Sequence, residues 1–73
     1  MKKYDYNKLK GKIKEVFETQ DKFAEALGRS SATINERLNN KKQFTQDEIN
    51  DAILLLNIQA EEIKQYFFNQ KVE

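Results

Sequence analysis

The chain has 73 residues, of which 34% are charged, and its formal net charge is +1 at pH 7. It contains neither cysteine nor histidine, which excludes disulfides, thiol nucleophiles and zinc sites built from the usual ligands. No apolar run approaches the roughly 18 residues of a membrane span, and no signal-type segment follows the lysine-rich start. We therefore expect one soluble domain over residues 1–73, with no cofactor.

The charges are unevenly distributed along the chain. Residues 1–42 carry 11 Lys or Arg against 6 Asp or Glu, whereas residues 43–73 carry 2 against 6. Asymmetry of this kind indicates an interaction surface, although small helical proteins also acquire uneven charge by chance.

The first three elements are predicted to be helices, because the chain has no proline, two glycines and apolar residues at helical spacing. The first helix has an apolar face formed by Leu9, Ile13, Val16 and Phe17. Thr19 is placed to cap a second helix, whose inward residues are Phe23, Ala24 and Leu27. Gly28 follows where a helix end needs left-handed backbone angles, and Ser30 or Ser31 then caps a third helix ending near Leu38.

The second half of the chain is predicted to hold two more helices. Residues 39–43 form a polar loop, and the pattern from Thr45 to Glu48 is a capping box at the start of helix four. Phe44 precedes that cap and is placed to staple onto Ile49. A fifth helix begins within residues 59–61. The inward residues of these two helices are Ile49, Ala52, Ile53 and Leu56, followed by Ile63, Tyr66 and Phe67.

Residues 19–38 predict a helix-turn-helix, the motif whose second helix enters the major groove of DNA. Ala24 is small where the two helices cross, Gly28 makes the turn, and Ile34 returns an apolar anchor to the core. Only Ile34 and Leu38 are large and apolar on the third helix, which leaves its polar face available for binding.

The motif and its flanks resemble the small Cro- and CI-type phage regulators, the wider family often called XRE-like. The resemblance covers nearly the whole chain and is carried by YDYNKLKGKI, ALGRSSATINERLNNK, FTQDEINDAILLLNI and EEIKQYFF. It is most specific for short proteins of temperate phages from low-GC Gram-positive bacteria. It implies an all-α, compact five-helix, lambda-repressor-like domain that acts in the bacterial cytoplasm on the lysis–lysogeny switch. The chain departs from the wider family where the second anchor is expected, because Arg37 takes that position and Leu38 follows it.

The resemblance implies a DNA-binding site on helices two and three and the loop after them. Gln20 takes a position that commonly bonds a phosphate, and Ala32 and Thr33 could contact a thymine methyl. Arg37 could bond guanine or a phosphate, and Glu36 could accept from cytosine or orient Arg37. The predicted DNA contacts are Gln20, Ser31, Ala32, Thr33, Asn35, Glu36, Arg37, Asn39, Asn40, Lys41 and Lys42, with Lys10, Lys12 and Lys14 added if helix one lies across the backbone.

A second predicted surface consists of Leu54, Leu55 and Phe68, which lie off the core stripes of helices four and five. Either details of the fold bury them, or they form an apolar patch for a protein partner. That partner would be a second copy, giving a Cro-like homodimer, or a CI-type repressor. Some proteins of this phage group resemble the modulator-of-repression type, which acts together with the CI repressor encoded beside it.

Two functions follow from these observations. The first is a Cro-like repressor that binds double-stranded operator DNA and occludes a promoter. The alternative is a modulator of repression, or antirepressor, that binds the cognate CI repressor and has weak or no direct contact with DNA. We do not expect an enzyme, a small-molecule substrate or a membrane partner, since the sequence offers no histidine, cysteine or Gly-rich phosphate loop.

Overall fold

The computed structural model describes residues 2–71, and they form an all-α domain with five α-helices, as predicted. The helices are α1 (Asn7–Phe17), α2 (Gln20–Leu27), α3 (Ser31–Leu38), α4 (Gln46–Leu55) and α5 (Ile63–Phe67), the last preceded by a 3-10 turn, Ala60–Glu62. An isolated antiparallel bridge between Tyr4 and Gln70 joins the two ends of the described chain. No helix in this part of the chain is long and apolar enough to cross a membrane.

Three helices begin at side chains that bond their first free amides. The hydroxyls of Thr19 and Ser30 each accept from the backbone N–H three residues later, at 3.1 Å. Thr45 and Glu48 form the reciprocal capping box at the start of α4. The caps predicted at Thr19 and Thr45 are confirmed, and Ser30 is the residue that caps α3.

Gly28 ends α2 with φ at +75°, and a Cβ built there would meet no atom within 4 Å. Substitution therefore has a conformational cost and no steric one. We expect Gly28→Ala to lower the free energy of unfolding by about 1 kcal/mol, and Gly28→Asn by less, because asparagine tolerates left-handed angles. Denaturation in urea measures both. Gly11→Ala is the control, because Gly11 lies inside α1 and a Cβ there also meets no atom within 4 Å; it should raise the free energy of unfolding. Equal losses for the two Gly28 variants would contradict the conformational explanation.

One core of apolar side chains joins all five helices. Its buried members are Tyr6, Leu9, Ile13, Phe23, Ala24, Leu27, Ile34, Leu38, Phe44, Ala52, Leu56, Ile58, Tyr66 and Phe67. The assignment of Val16 to the inward face of α1 was wrong, since its side chain is 45% exposed. Phe17, four residues after Ile13, packs against Phe23 instead, with 5.6 Å between ring centroids.

Three aromatic rings connect distant parts of the sequence through this core. Phe44, in the loop before α4, lies edge-on against Tyr6 at 5.4 Å and edge-on against Phe67 at 5.5 Å between centroids. Phe44 therefore contacts the segment before α1 and the end of α5. Burial, and to a smaller extent the neighbouring Tyr4, raise the pKa of Tyr6 to about 12, so its hydroxyl stays neutral.

Candidate functional site

The third helix is held to the core by the two predicted anchors. Ile34 is fully buried and Leu38 is 3% exposed. Ser31, Ala32 and Asn35 lie on the exposed side of the same helix. The helix therefore has a narrow apolar side that faces the core and a broad polar side that faces solvent, as the sequence predicted.

A buried carboxylate fixes both ends of α3 to the start of α4. Glu48 is 1% exposed, and its Oε1 accepts from Arg37 Nε and from the backbone N–H of Thr45, each at 2.9 Å. Its Oε2 accepts from Arg29 Nε at 2.9 Å and from Arg37 Nη2 at 3.4 Å. Arg29 lies in the turn before α3 and Arg37 lies in its last turn. We call Glu48, Arg29 and Arg37 the Glu48 ion-pair cluster.

Glu48 is ionised at neutral pH despite its burial. Burial alone raises the pKa of this carboxyl, but the hydrogen bonds from Arg37, from the Thr45 amide and from Arg29 outweigh it and lower the pKa to about 2. The cluster therefore pairs the buried Glu48 carboxylate with two guanidinium groups. That of Arg37 is largely withdrawn from water, whereas that of Arg29 is exposed.

The cluster gives Arg37, a predicted contact of guanine or phosphate, a partner within the fold. Its side chain is 13% exposed and its guanidinium is bonded to Glu48. The acid that orients Arg37 is thus Glu48 rather than Glu36. Arg37 occupies the position where the wider family was expected to have an apolar anchor, and here a buried ion pair takes the place of that apolar contact.

Asn40, another predicted DNA contact, also has bonding partners within the fold. Its amide Nδ2 donates to the carbonyl of Tyr4 at 2.9 Å, and its Oδ1 accepts from the N–H of Tyr4 at 2.8 Å. These two bonds hold the segment before α1 against the loop after α3. The amide therefore has partners within the fold on both its donor and its acceptor sides.

An acidic side chain lies against the start of α3. Ser31 Oγ donates to Asp21 Oδ1 at 2.7 Å, and Asp21 follows Gln20, the residue predicted to bond a phosphate. A carboxylate at this position repels phosphate. Spacing within one helix does not predict this bond, because it joins residues ten apart on two different helices.

The remaining predicted DNA contacts differ in exposure. Thr33 Oγ1 accepts from the hydroxyl of Ser30 at 2.9 Å. Asn39 Nδ2 donates to the backbone carbonyl and Oδ1 of Asn35, each at 2.9 Å. Gln20 and Glu36 are half-buried, while Ala32, Lys41 and Lys42 are exposed. Whether any of these residues contacts DNA stays a prediction.

The three residues of the predicted protein-binding patch lie in two separate places on the fold. Leu54, 79% exposed, and Leu55, half-buried against the core, line a cleft of about 250 Å³ together with Ala26 of α2 and Asp51 of α4. Of the two alternatives left open by the sequence, partial burial by the fold applies to Leu55 and exposure applies to Leu54. We call this feature the α2–α4 cleft and define it by these four residues.

Phe68 lies outside the lining of the α2–α4 cleft. It is 43% exposed and packs edge-on against Tyr4, with 6.1 Å between ring centroids. The sequence grouped Phe68 with Leu54 and Leu55 because all three leave the core stripes of their helices. Spacing within single helices does not show which exposed positions lie beside one another.

The fold and these surfaces are those of a small all-α domain with two helices presented around a tight turn. Residues 2–70 match the family described as "Protein of unknown function (DUF739)", and the chain belongs to that family. A solved structure, the solution structure of the modulator of repression (MOR) of the temperate bacteriophage TP901-1 from Lactococcus lactis, is similar with a TM-score of 0.80. The two sequences are 44% identical over 96% of this chain and 95% of that one. The chain is thus a phage protein of the MOR type. No curated protein sequence matches it.

Proposed function

We propose that the protein modulates phage repression by binding a repressor protein of the CI type encoded by the same phage. The observation that carries the proposal is the 44% identity, over nearly the whole of both chains, to a protein described as a modulator of repression. The similarity favours the modulator interpretation over the Cro-like one.

The chemistry of α3 supports a protein partner. DNA affinity depends mainly on Lys and Arg side chains that reach phosphates. On this helix the guanidinium of Arg37 is bonded to a buried carboxylate, and the carboxylate of Asp21 lies at the helix start. Both features weaken a phosphate-binding surface.

The charge asymmetry suggests how a repressor would be affected. Between residues 43 and 71 the carboxylates that reach the surface are those of Asp47, Asp51, Glu61 and Glu62, against two exposed lysines, because Glu48 is buried in its ion-pair cluster. A repressor presents basic side chains to its operator. An acidic surface that covers those side chains would compete with DNA for the repressor. The proposed mechanism is therefore occupation of the repressor's DNA-facing side, with no catalytic step.

Direct operator binding is the second candidate function. Lys10 and Lys14 of α1 line a shallow depression together with Gln20, and Lys41 and Lys42 are exposed in the loop after α3. These side chains could follow a phosphate backbone. This candidate requires the protein alone to bind the phage's early-promoter DNA.

A gel shift of that early-promoter region separates the two functions. The protein alone, the purified neighbouring repressor alone, and both together are compared at low salt. We expect no shift with the protein alone and a repressor shift that changes when the protein is added. A sequence-specific shift by the protein alone, with no effect on the repressor, would establish the Cro-like function and overturn the proposal.

A further inference from the structure

We propose that the α2–α4 cleft is the surface that binds the repressor, and that it accepts a segment presenting an apolar side chain beside Lys or Arg. This inference rests on the proposed function and adds the surface and the chemistry of the contact.

The cleft offers an apolar side chain that the fold leaves in water. Leu54 is 79% exposed, more than the other large exposed hydrophobics, Val16 and Phe68. Leu55 is half-buried beside it, and Ala26 on the facing helix is too small to cover either leucine. A single exposed leucine is ordinary, but one that borders a cleft with a second leucine can bury apolar area in a partner.

The acidic part of the cleft determines which partner fits. Asp51 lines the cleft, and Asp47 lies one turn earlier on the same side of α4. Both are exposed, and the ion pairs found within residues 2–71 involve neither of them. Their charge is therefore available to a Lys or Arg side chain that enters beside the leucines.

The same charge disfavours two other occupants. A second copy docked cleft to cleft would bring the carboxylates Asp47 and Asp51 of both copies into one interface, where they would repel one another. DNA would bring phosphates toward Asp47 and Asp51. A protein segment with basic and apolar side chains satisfies both parts of the cleft.

The test is isothermal titration of the purified CI-type repressor with the wild type and three variants. We expect Leu54→Asp and Asp51→Lys each to weaken binding by about 30-fold, the loss typical of a central contact residue. Val16→Asp is the matched control, because Val16 is also an exposed aliphatic residue on a helix, and it should bind as the wild type does. Circular dichroism should show the same helicity and melting for all four proteins.

Three results would overturn the inference in distinguishable ways. If the wild type binds the repressor and both cleft variants bind equally well, the surface is wrong and the proposed function stands. If the wild type does not bind the repressor, both fail. A dimer of the wild type that dissociates in Leu54→Asp, seen by sedimentation, would assign the cleft to a second copy instead.

An amide NMR titration gives a measurement that needs no variant. Adding unlabelled repressor to the ¹⁵N-labelled protein should shift the amides of Ala26, Asp51, Leu54 and Leu55 most. Largest shifts on α3 instead would move the contact to that helix and refute the cleft.

Discussion

Glu48→Gln is expected to lower the free energy of unfolding by about 3 kcal/mol, because it removes the charge that two arginines share. The amide keeps the shape of the carboxyl and still accepts hydrogen bonds. It leaves Arg37, whose side chain is 13% exposed, as a cation largely withdrawn from water with no anion beside it. Urea denaturation at neutral pH, followed by circular dichroism, measures the loss.

Asp47→Asn is the matched control for this substitution. Asp47 precedes Glu48 in the first turn of α4 and has the same relation to the helix dipole, but its side chain is exposed. We expect its loss to be within about 0.5 kcal/mol. If Glu48→Gln cost no more than Asp47→Asn, the cluster would not stabilise the fold.

The pH dependence of stability tests the same cluster without changing the fold. The pKa of Glu48 is about 2 in the folded protein, against an ordinary value of 4.5. Because the pKa is lower in the folded protein, ionised Glu48 contributes fully to the free energy of unfolding above pH 4.5. This contribution is lost as pH falls towards 2. At about 1.4 kcal/mol per pKa unit, the loss is roughly 3 kcal/mol. The stability difference between the wild type and Glu48→Gln should shrink across this range; a constant difference would contradict the assignment.

Glu48 also shows how far local sequence patterns reach. The capping box was predictable because its partners, Thr45 and Glu48, are three residues apart. The bonds from Arg37 and Arg29 span 11 and 19 residues and depend on how α3 packs against α4. Local spacing therefore predicts the start of the helix but not the cluster.

The contacts at the candidate surfaces show the same difference between contacts within one helix and contacts between separate elements. Spacing predicted that Ile34 and Leu38 anchor α3, since both lie on one helix. It did not predict the bonds from Ser31 to Asp21 or from Asn40 to Tyr4, which join separate elements. Helices and caps follow from neighbours in sequence, whereas the availability of a polar side chain follows from the tertiary fold.

Phe44 illustrates the same limit within the core. Its position just before the Thr45 cap predicted a local staple onto Ile49, a contact between residues five apart in sequence. The fold places its ring against Tyr6 and Phe67, which come from the two ends of the described chain. A loop residue thereby becomes part of the aromatic core.

Phe44→Ala is accordingly expected to destabilise the protein by about 3–4 kcal/mol, the cost of deleting a buried ring and leaving a cavity. The free energy of unfolding of a chain this short is roughly 4–11 kcal/mol, so a measurable unfolded fraction should appear at moderate temperature. Phe44→Leu, which restores most of the volume without the edge-on ring contacts, should lose about 1–1.5 kcal/mol. Thermal melting of the three proteins distinguishes the two contributions. Equal stability of Phe44→Leu and the wild type would assign the whole effect to volume, and a loss below about 1 kcal/mol for Phe44→Ala would show that this loop does not belong to the core.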